Sequence, residues 1–227
     1  MLIACWSPKG GSGTTVVTCA LALTVAARRP AAEPGVVLAD LAGDVPAVLG
    51  IPAPPGPGLI DWLAAGTDAP VDALGRLEIE ATSGVRLLPW AGPGPTAGDP
   101  DRCADATRGE LLATLLAADS RAVVADCGRA ALGAGLALAA GANISLLVLR
   151  PCYLALRRAL EAPVRPSGVI LVTEPGRAVT RHDVEDVLGV PVRAEVEHDT
   201  AVARAVDAGL LATRVPRALR RALRAAA

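Results

Sequence analysis

Apolar residues in this chain gather into short unbroken runs, with longer stretches of helical spacing between them. "LIACWS" (2–7), "GVVLAD" (35–40), "VRLLPW" (85–90), "AVVAD" (122–126), "ISLLVL" (144–149) and "GVILVT" (168–173) read as strands buried on both faces. A shorter "PVRAEV" (191–196) predicts an added edge strand. Helical patterns occupy 14–29, 105–119, 130–141, 154–162, 180–188 and 199–210. Thr180 followed by Asp183, and Asp199 opening the next segment, are capping signals. Strands alternating with helices predict right-handed crossovers and an α/β fold, a mostly parallel central sheet with helices on both faces. Ligands of such sheets sit at the carboxyl ends of the strands.

The stretch from Ala130 to Leu149, between Arg129 and Arg150, carries no charge and is long enough to cross a bilayer. Gly141-Ala142-Asn143 divides it into an Ala/Gly-rich helical half and a strand half, so a buried helix followed by a strand is expected. "IPAPPGPG" (51–58) and "WAGPGPTAGDP" (90–100) are surface connectors too short to separate domains. The 227 residues are therefore read as one domain, with 213–227 a basic C-terminal helix.

Composition sharpens this picture. The chain is 52% hydrophobic but only 2% aromatic and has no Phe, so Ala, Val, Leu and Ile must fill the core. A net charge of −1 excludes a polyanion binder of the whole-surface kind, though not a local basic patch. Cys5, Cys19, Cys103, Cys127 and Cys152 are odd in number, scattered, and without a C-x-x-C pair. They predict free thiols in a reducing cytosol, and the absence of a basic n-region before the first strand predicts no secretory signal.

Candidate chemistry concentrates in "WSPKGGSGTTVVTCALAL" (6–23), where strand, glycine-rich turn and helix follow one another. Gly10, Gly11 and Gly13 allow a tight turn that points successive N–H groups inward, an anion nest backed by the helix dipole. Thr15 stands where a magnesium-ligating hydroxyl belongs in a phosphate-binding loop, but the position before it, where such loops carry lysine, is Thr14.

"PKGGSGTT" (8–15) resembles the deviant Walker A loop of the MinD/ParA family of P-loop ATPases, K-G-G-x-G-K-T/S. The resemblance implies ATP and Mg²⁺ as ligands. Gly10, Gly11, Ser12, Gly13, Thr14 and Thr15 would then cradle the phosphates, and Lys9 would be the signature lysine that reaches across a homodimer. "VVLADLAGDVPAVLGI" (36–51) is similar to the strand and switch I region, with Asp40 as the Walker A′ aspartate positioning or tuning the attacking water. "VVADCG" (123–128) is similar to Walker B, with Asp126 and Thr15 holding magnesium directly or through water. "VEDVLGVPVRAEVEHDTAVARAVDAG" (184–209) looks like the closing stretch of the family, and "GDVPAVLG" (43–50) and "GLIDWL" (58–63) look most like its CpaE/TadZ-like branch, associated with pilus assembly.

Three departures accompany the likeness. Thr14 replaces the in-loop lysine, Ala42 replaces a second acid after Asp40, and "LVTEPGR" (171–177) offers Thr173 and Glu174 where the family has an adenine-contacting Asn. The resemblance therefore implies a cytoplasmic positioning or assembly protein, at the septum, cell pole or pilus, with slow or absent ATP hydrolysis and an unidentified protein partner. Two alternatives stay open: a degenerate scaffold that dimerises without nucleotide, and a segregation ATPase binding DNA nonspecifically. Arg157, Arg158 and Arg165 with Arg217, Arg220, Arg221 and Arg224 would supply the DNA patch. Val215, Leu219 and Leu223 make the C-terminus weakly amphipathic, which opens peripheral contact with the inner membrane face, but a terminal helix packed on the sheet is preferred. His182 and His198 are expected at the surface, Trp6 in the core, and an iron–sulfur role for the cysteines lacks a placed ligand set.

Overall fold

The computed structural model describes residues 1–30, 35–66, 70, 72–92, 106–130 and 133–226. Its strands are β1 (Leu2–Trp6), β2 (Val36–Asp40), β3 (Ile79–Thr82), β4 (Val85–Leu88), β5 (Ala122–Asp126), β6 (Ile144–Leu149), β7 (Gly168–Thr173) and β8 (Val192–Glu197). They form one sheet in the order β3-β4-β2-β5-β1-β6-β7-β8. Every neighbouring pair is parallel except β3 and β4, which form an antiparallel hairpin at one edge.

Helices cover both faces, as parallel strands buried on two sides require. On one face lie α1 (Thr14–Ala26), α2 (Val45–Leu49), α9 (Thr200–Asp207) and α10 (Arg217–Leu223). On the other lie α3 (Leu59–Ala64), α4 (Ala73–Arg76), α5 (Ala106–Ala118), α6 (Gly133–Gly141), α7 (Tyr153–Leu160) and α8 (Arg181–Leu188). Helix α1 is apolar nearly all round because it is wedged between the sheet, α2 and α10. The predicted caps form. Thr180 Oγ1 accepts from Asp183 N while Asp183 Oδ2 accepts from Thr180 N, and Asp199 Oδ1 accepts from Ala201 N.

The uncharged stretch divides as expected, into α6 and β6 around the Gly141–Asn143 break. Among the described residues no helix is long and apolar enough to cross a membrane. Leu219 and Leu223 of α10 are buried against β8 and α1, so its apolar stripe is spent within the molecule. Strand β3 and helices α2, α3 and α4 go beyond the sequence reading. Glu78, before β3, is fixed by Arg121 (2.6 Å), whose guanidinium also holds Asp119 (2.7 Å). Behind α3, the Arg108 guanidinium stacks 3.6 Å from the Trp62 ring centre and donates to the Trp62 carbonyl at 2.7 Å.

Candidate functional site

Strands β2, β5 and β1 are adjacent, so the loops leaving their carboxyl ends converge at one point of the sheet edge. The loop after β1 is anchored by Ser7, whose N–H donates to Gly128 O at 2.9 Å, and it folds onto itself. The hydroxyls of Ser7 (2.8 Å) and Ser12 (3.2 Å) both donate to the Lys9 carbonyl. Gly11 and Gly13 take the left-handed conformation, with φ of 76° and 80°. A Cβ on either would meet no heavy atom within 4 Å, so the backbone conformation requires these glycines and packing does not.

Helix α1 starts from Gly13 with no side-chain cap and no acid in its first turn, leaving its amides for an outside acceptor. Thr15 is half-buried, and Thr14 is buried at 7% exposure, its carbonyl accepting from the Thr18 hydroxyl. The Lys9 side chain lies at the turn with no carboxylate partner among the described residues.

Asp40 and Asp126 end their strands side by side in register, and both are fully buried. Asp40 accepts from three amides: Ala42 (3.0 Å) and Gly43 (2.7 Å) at Oδ1, and Val45 (3.2 Å) at Oδ2. Asp126 accepts from Gly128 N at 3.0 Å through Oδ1, while its Oδ2 has no hydrogen-bond partner. Burial pushes the Asp40 carboxyl up to about 7, with the Asp126 charge adding to the rise and the amides opposing it. Burial likewise pushes Asp126 to about 6, against the pull of the nearby Thr15 hydroxyl and the Gly128 amide.

An orphaned, buried carboxylate oxygen near a threonine hydroxyl and an uncapped helix start offers oxygen donors suited to a hard divalent cation and amides suited to an anion. Magnesium and a phosphate chain fit these residues. Thr15 and Asp126 would hold the cation, and the Gly10–Thr15 amides would hold the anion.

The architecture is the P-loop NTPase-like α/β fold. No family model matches the chain, and no curated protein matches it. Solved structures do. A ParA family ATPase from Chlorobium tepidum TLS superposes with a TM-score of 0.74 at 17% identity, over 98% of this chain and 95% of its own. The cell division ATPase MinD of Pyrococcus furiosus gives 0.72 at 21%, over 99% and 97%. The septum site-determining protein MinD of Pyrococcus horikoshii OT3, complexed with Mg-ADP, gives 0.71 at 20%, over 98% and 92%. At these identities the likeness is one of fold, and the fold is the MinD/ParA one.

The sequence-predicted residues thus meet at one place. Two further side chains join them that sequence reasoning did not assign. Arg150, directly after β6, donates from Nη1 to Gly11 O at 3.2 Å and pairs through Nη2 with Glu174. Glu174, noted only for the base-contacting residue it replaces, also binds Arg177 at 2.6 Å. The available signal was a lone arginine closing an uncharged strand, but only the sheet order places β6 beside β1.

The remaining candidates lie elsewhere. Trp6 is buried and donates to Ser145 Oγ at 3.0 Å. His182 and His198 are exposed, His182 lying 3.3 Å from Asp186. Cys5, Cys19 and Cys127 are buried free thiols, with burial pushing Cys5 up to about 12. Cys103 lies outside the described residues. Arg157 and Arg158 belong to α7 on one face of the sheet, Arg217, Arg220 and Arg221 to α10 on the other, and Arg224 caps α10.

Proposed function

We propose that this chain is a nucleotide-responsive positioning or assembly protein of the MinD/ParA type, which binds MgATP at its glycine loop and hydrolyses it slowly or not at all. Asp126 carries the reading. A buried carboxylate with an unpartnered oxygen, beside an uncapped helix start, is an expensive arrangement unless a cation meets it.

The Gly10–Thr15 amides bind the phosphates, Thr15 and Asp126 hold magnesium directly or through water, and Lys9 links two protomers. Asp40 orders the turn beside them and sets where water is held. Magnesium, when bound, supplies charge neutralisation at the phosphates. Because phosphoryl transfer depends on positioning and charge, Thr14 in place of lysine lowers affinity and rate more than it disturbs the fold. The Mg-ADP carried by the Pyrococcus horikoshii protein supports the ligand class. The "GDVPAVLG" and "GLIDWL" phrases support a CpaE/TadZ-like role in pilus assembly, with action in the cytoplasm or at the inner membrane face.

Two observations favour a second reading, a scaffold that dimerises without nucleotide. Thr14 is buried and cannot reach out as a lysine would, while Tyr153 and Leu154 of α7 stand exposed. The DNA-binding reading has its arginines divided between α7 and α10 on opposite faces of the sheet.

Titration calorimetry with MgATP, paired with sizing chromatography, separates the two. The switch reading expects an affinity well below about 1 mM that weakens in Lys9→Ala, and a dimer formed only with ATP. A millimolar affinity indifferent to Lys9, with a constitutive dimer, establishes the scaffold instead.

A further inference from the structure

Arg150 occupies a place that the nucleotide reading leaves unfilled. The phosphate loop contains one cation, Lys9, which lies at the turn, while the residue opening α1 is the buried Thr14. Yet a charge-assisted bond already reaches the loop from outside it, from Arg150 Nη1 to Gly11 O. Gly11 is exposed and left-handed, one of the two residues whose conformation makes the nest.

A guanidinium offers five N–H donors in a fixed fork, and Gly11 and Glu174 engage one nitrogen each. The donors that remain match the oxygens of a phosphate, which a fork grips in pairs. Asp126, at the end of β5 on the other side of β1, has a buried, unpartnered Oδ2.

We infer that Arg150 is the in-cis phosphate-binding cation of this chain, taking from the neighbouring strand the part that Thr14 cannot perform, and that Glu174 restrains it. The inference rests on the nucleotide reading above and names a binding residue for that same site. Glu174 is 16% exposed and shared between Arg150 and Arg177, so its carboxylate offsets part of the Arg150 charge. An incoming polyphosphate competes with that carboxylate for Arg150.

A purely structural arginine, pinning the loop to the end of β7, makes the opposite prediction for Glu174. Loss of the carboxylate would then slacken the loop and weaken binding.

The test is MgATP titration calorimetry on the wild type, Arg150→Ala, Arg150→Lys and Glu174→Gln, with melting recorded for each and inorganic tripolyphosphate as a base-free competitor. Arg150→Ala is expected to weaken MgATP by about tenfold, the size of a lost charge-assisted phosphate contact, and Arg150→Lys by less. Glu174→Gln is expected to tighten both MgATP and tripolyphosphate. A wild type that binds MgATP, with Arg150→Ala changed by less than about threefold or Glu174→Gln binding more weakly, overturns the role of Arg150 and leaves the nucleotide reading standing. A wild type that binds neither probe overturns both. Should Arg150→Ala fail to fold, Glu174→Gln decides alone, because its two directions oppose each other.

Discussion

Asp40 and Asp126 are neighbours in register at the ends of adjacent strands, equally buried, and yet they are held in opposite ways. Asp40 is harnessed, with three amides of the following turn donating to its two oxygens. Asp126 is half open, with one oxygen on Gly128 and the other without a hydrogen bond, the Thr15 hydroxyl standing near the carboxylate. The harnessed acid is part of the fold, because its carboxylate replaces the hydrogen bonds that a tight turn would otherwise leave unmade. Both carboxylates carry a penalty for burial; the turn that Asp40 ties offsets its own, and only a ligand would offset that of Asp126. Two aspartates in equivalent positions thus divide into a builder and a binder, a division that residue type alone does not reveal.

Of the two acids, removing the builder should cost more. Asp40→Ala leaves three amide donors without acceptors, and relief of a buried charge offsets part of that loss. The net expectation is a destabilisation of about 2 kcal/mol, read by urea denaturation. An unchanged midpoint would place Asp40 among the dispensable acids.

The pH dependence tests the penalty that burial places on both acids. Both carboxyls titrate higher folded than their ordinary 3.8, at about 7 and about 6, so the folded protein holds protons that the unfolded chain has released. Stability from these groups is therefore greatest at acid pH and falls as pH rises from about 4 through about 7. Between pH 5 and 8, without magnesium, the wild type should lose on the order of 1–2 kcal/mol more than Asp126→Asn does. Parallel curves for the two proteins would remove the burden assigned to Asp126.

The smallest effect on stability belongs to the loop. Gly13→Ala forces an L-residue to a φ of 80° but meets no neighbour, so it should destabilise by only about 1 kcal/mol while lowering MgATP affinity through the distorted nest. Gly50 is the contrasting case. Its Cβ would stand 2.2 Å from the Gly209 carbonyl oxygen, and alanine there should prevent α2 and α9 from closing.

How much of this the sequence discloses follows from where the information lies. The parallel sheet is legible because its strands are unbroken apolar runs, and the loop because glycines, Thr15 and the first strand are contiguous. Strand β3 is not legible: Ile79, Glu80, Ala81 and Thr82 form a half-buried edge with a charge in it, and the hairpin with β4 selects the conformation. Asp40 is recognisable as an acid at a strand end, but its harness depends on Gly43 adopting a φ of 86°. Arg150 is invisible as a loop contact because its 139-residue separation from Gly11 closes only when β6 pairs with β1.

The most direct measurement combines thermal melting and MgATP calorimetry on Asp126→Asn. If Asp126 is a binder carried at the fold's expense, the variant melts higher than the wild type, because a buried charge becomes a neutral amide, and its magnesium-dependent nucleotide binding disappears. A variant that melts no higher and binds MgATP as the wild type does would contradict the account at its centre.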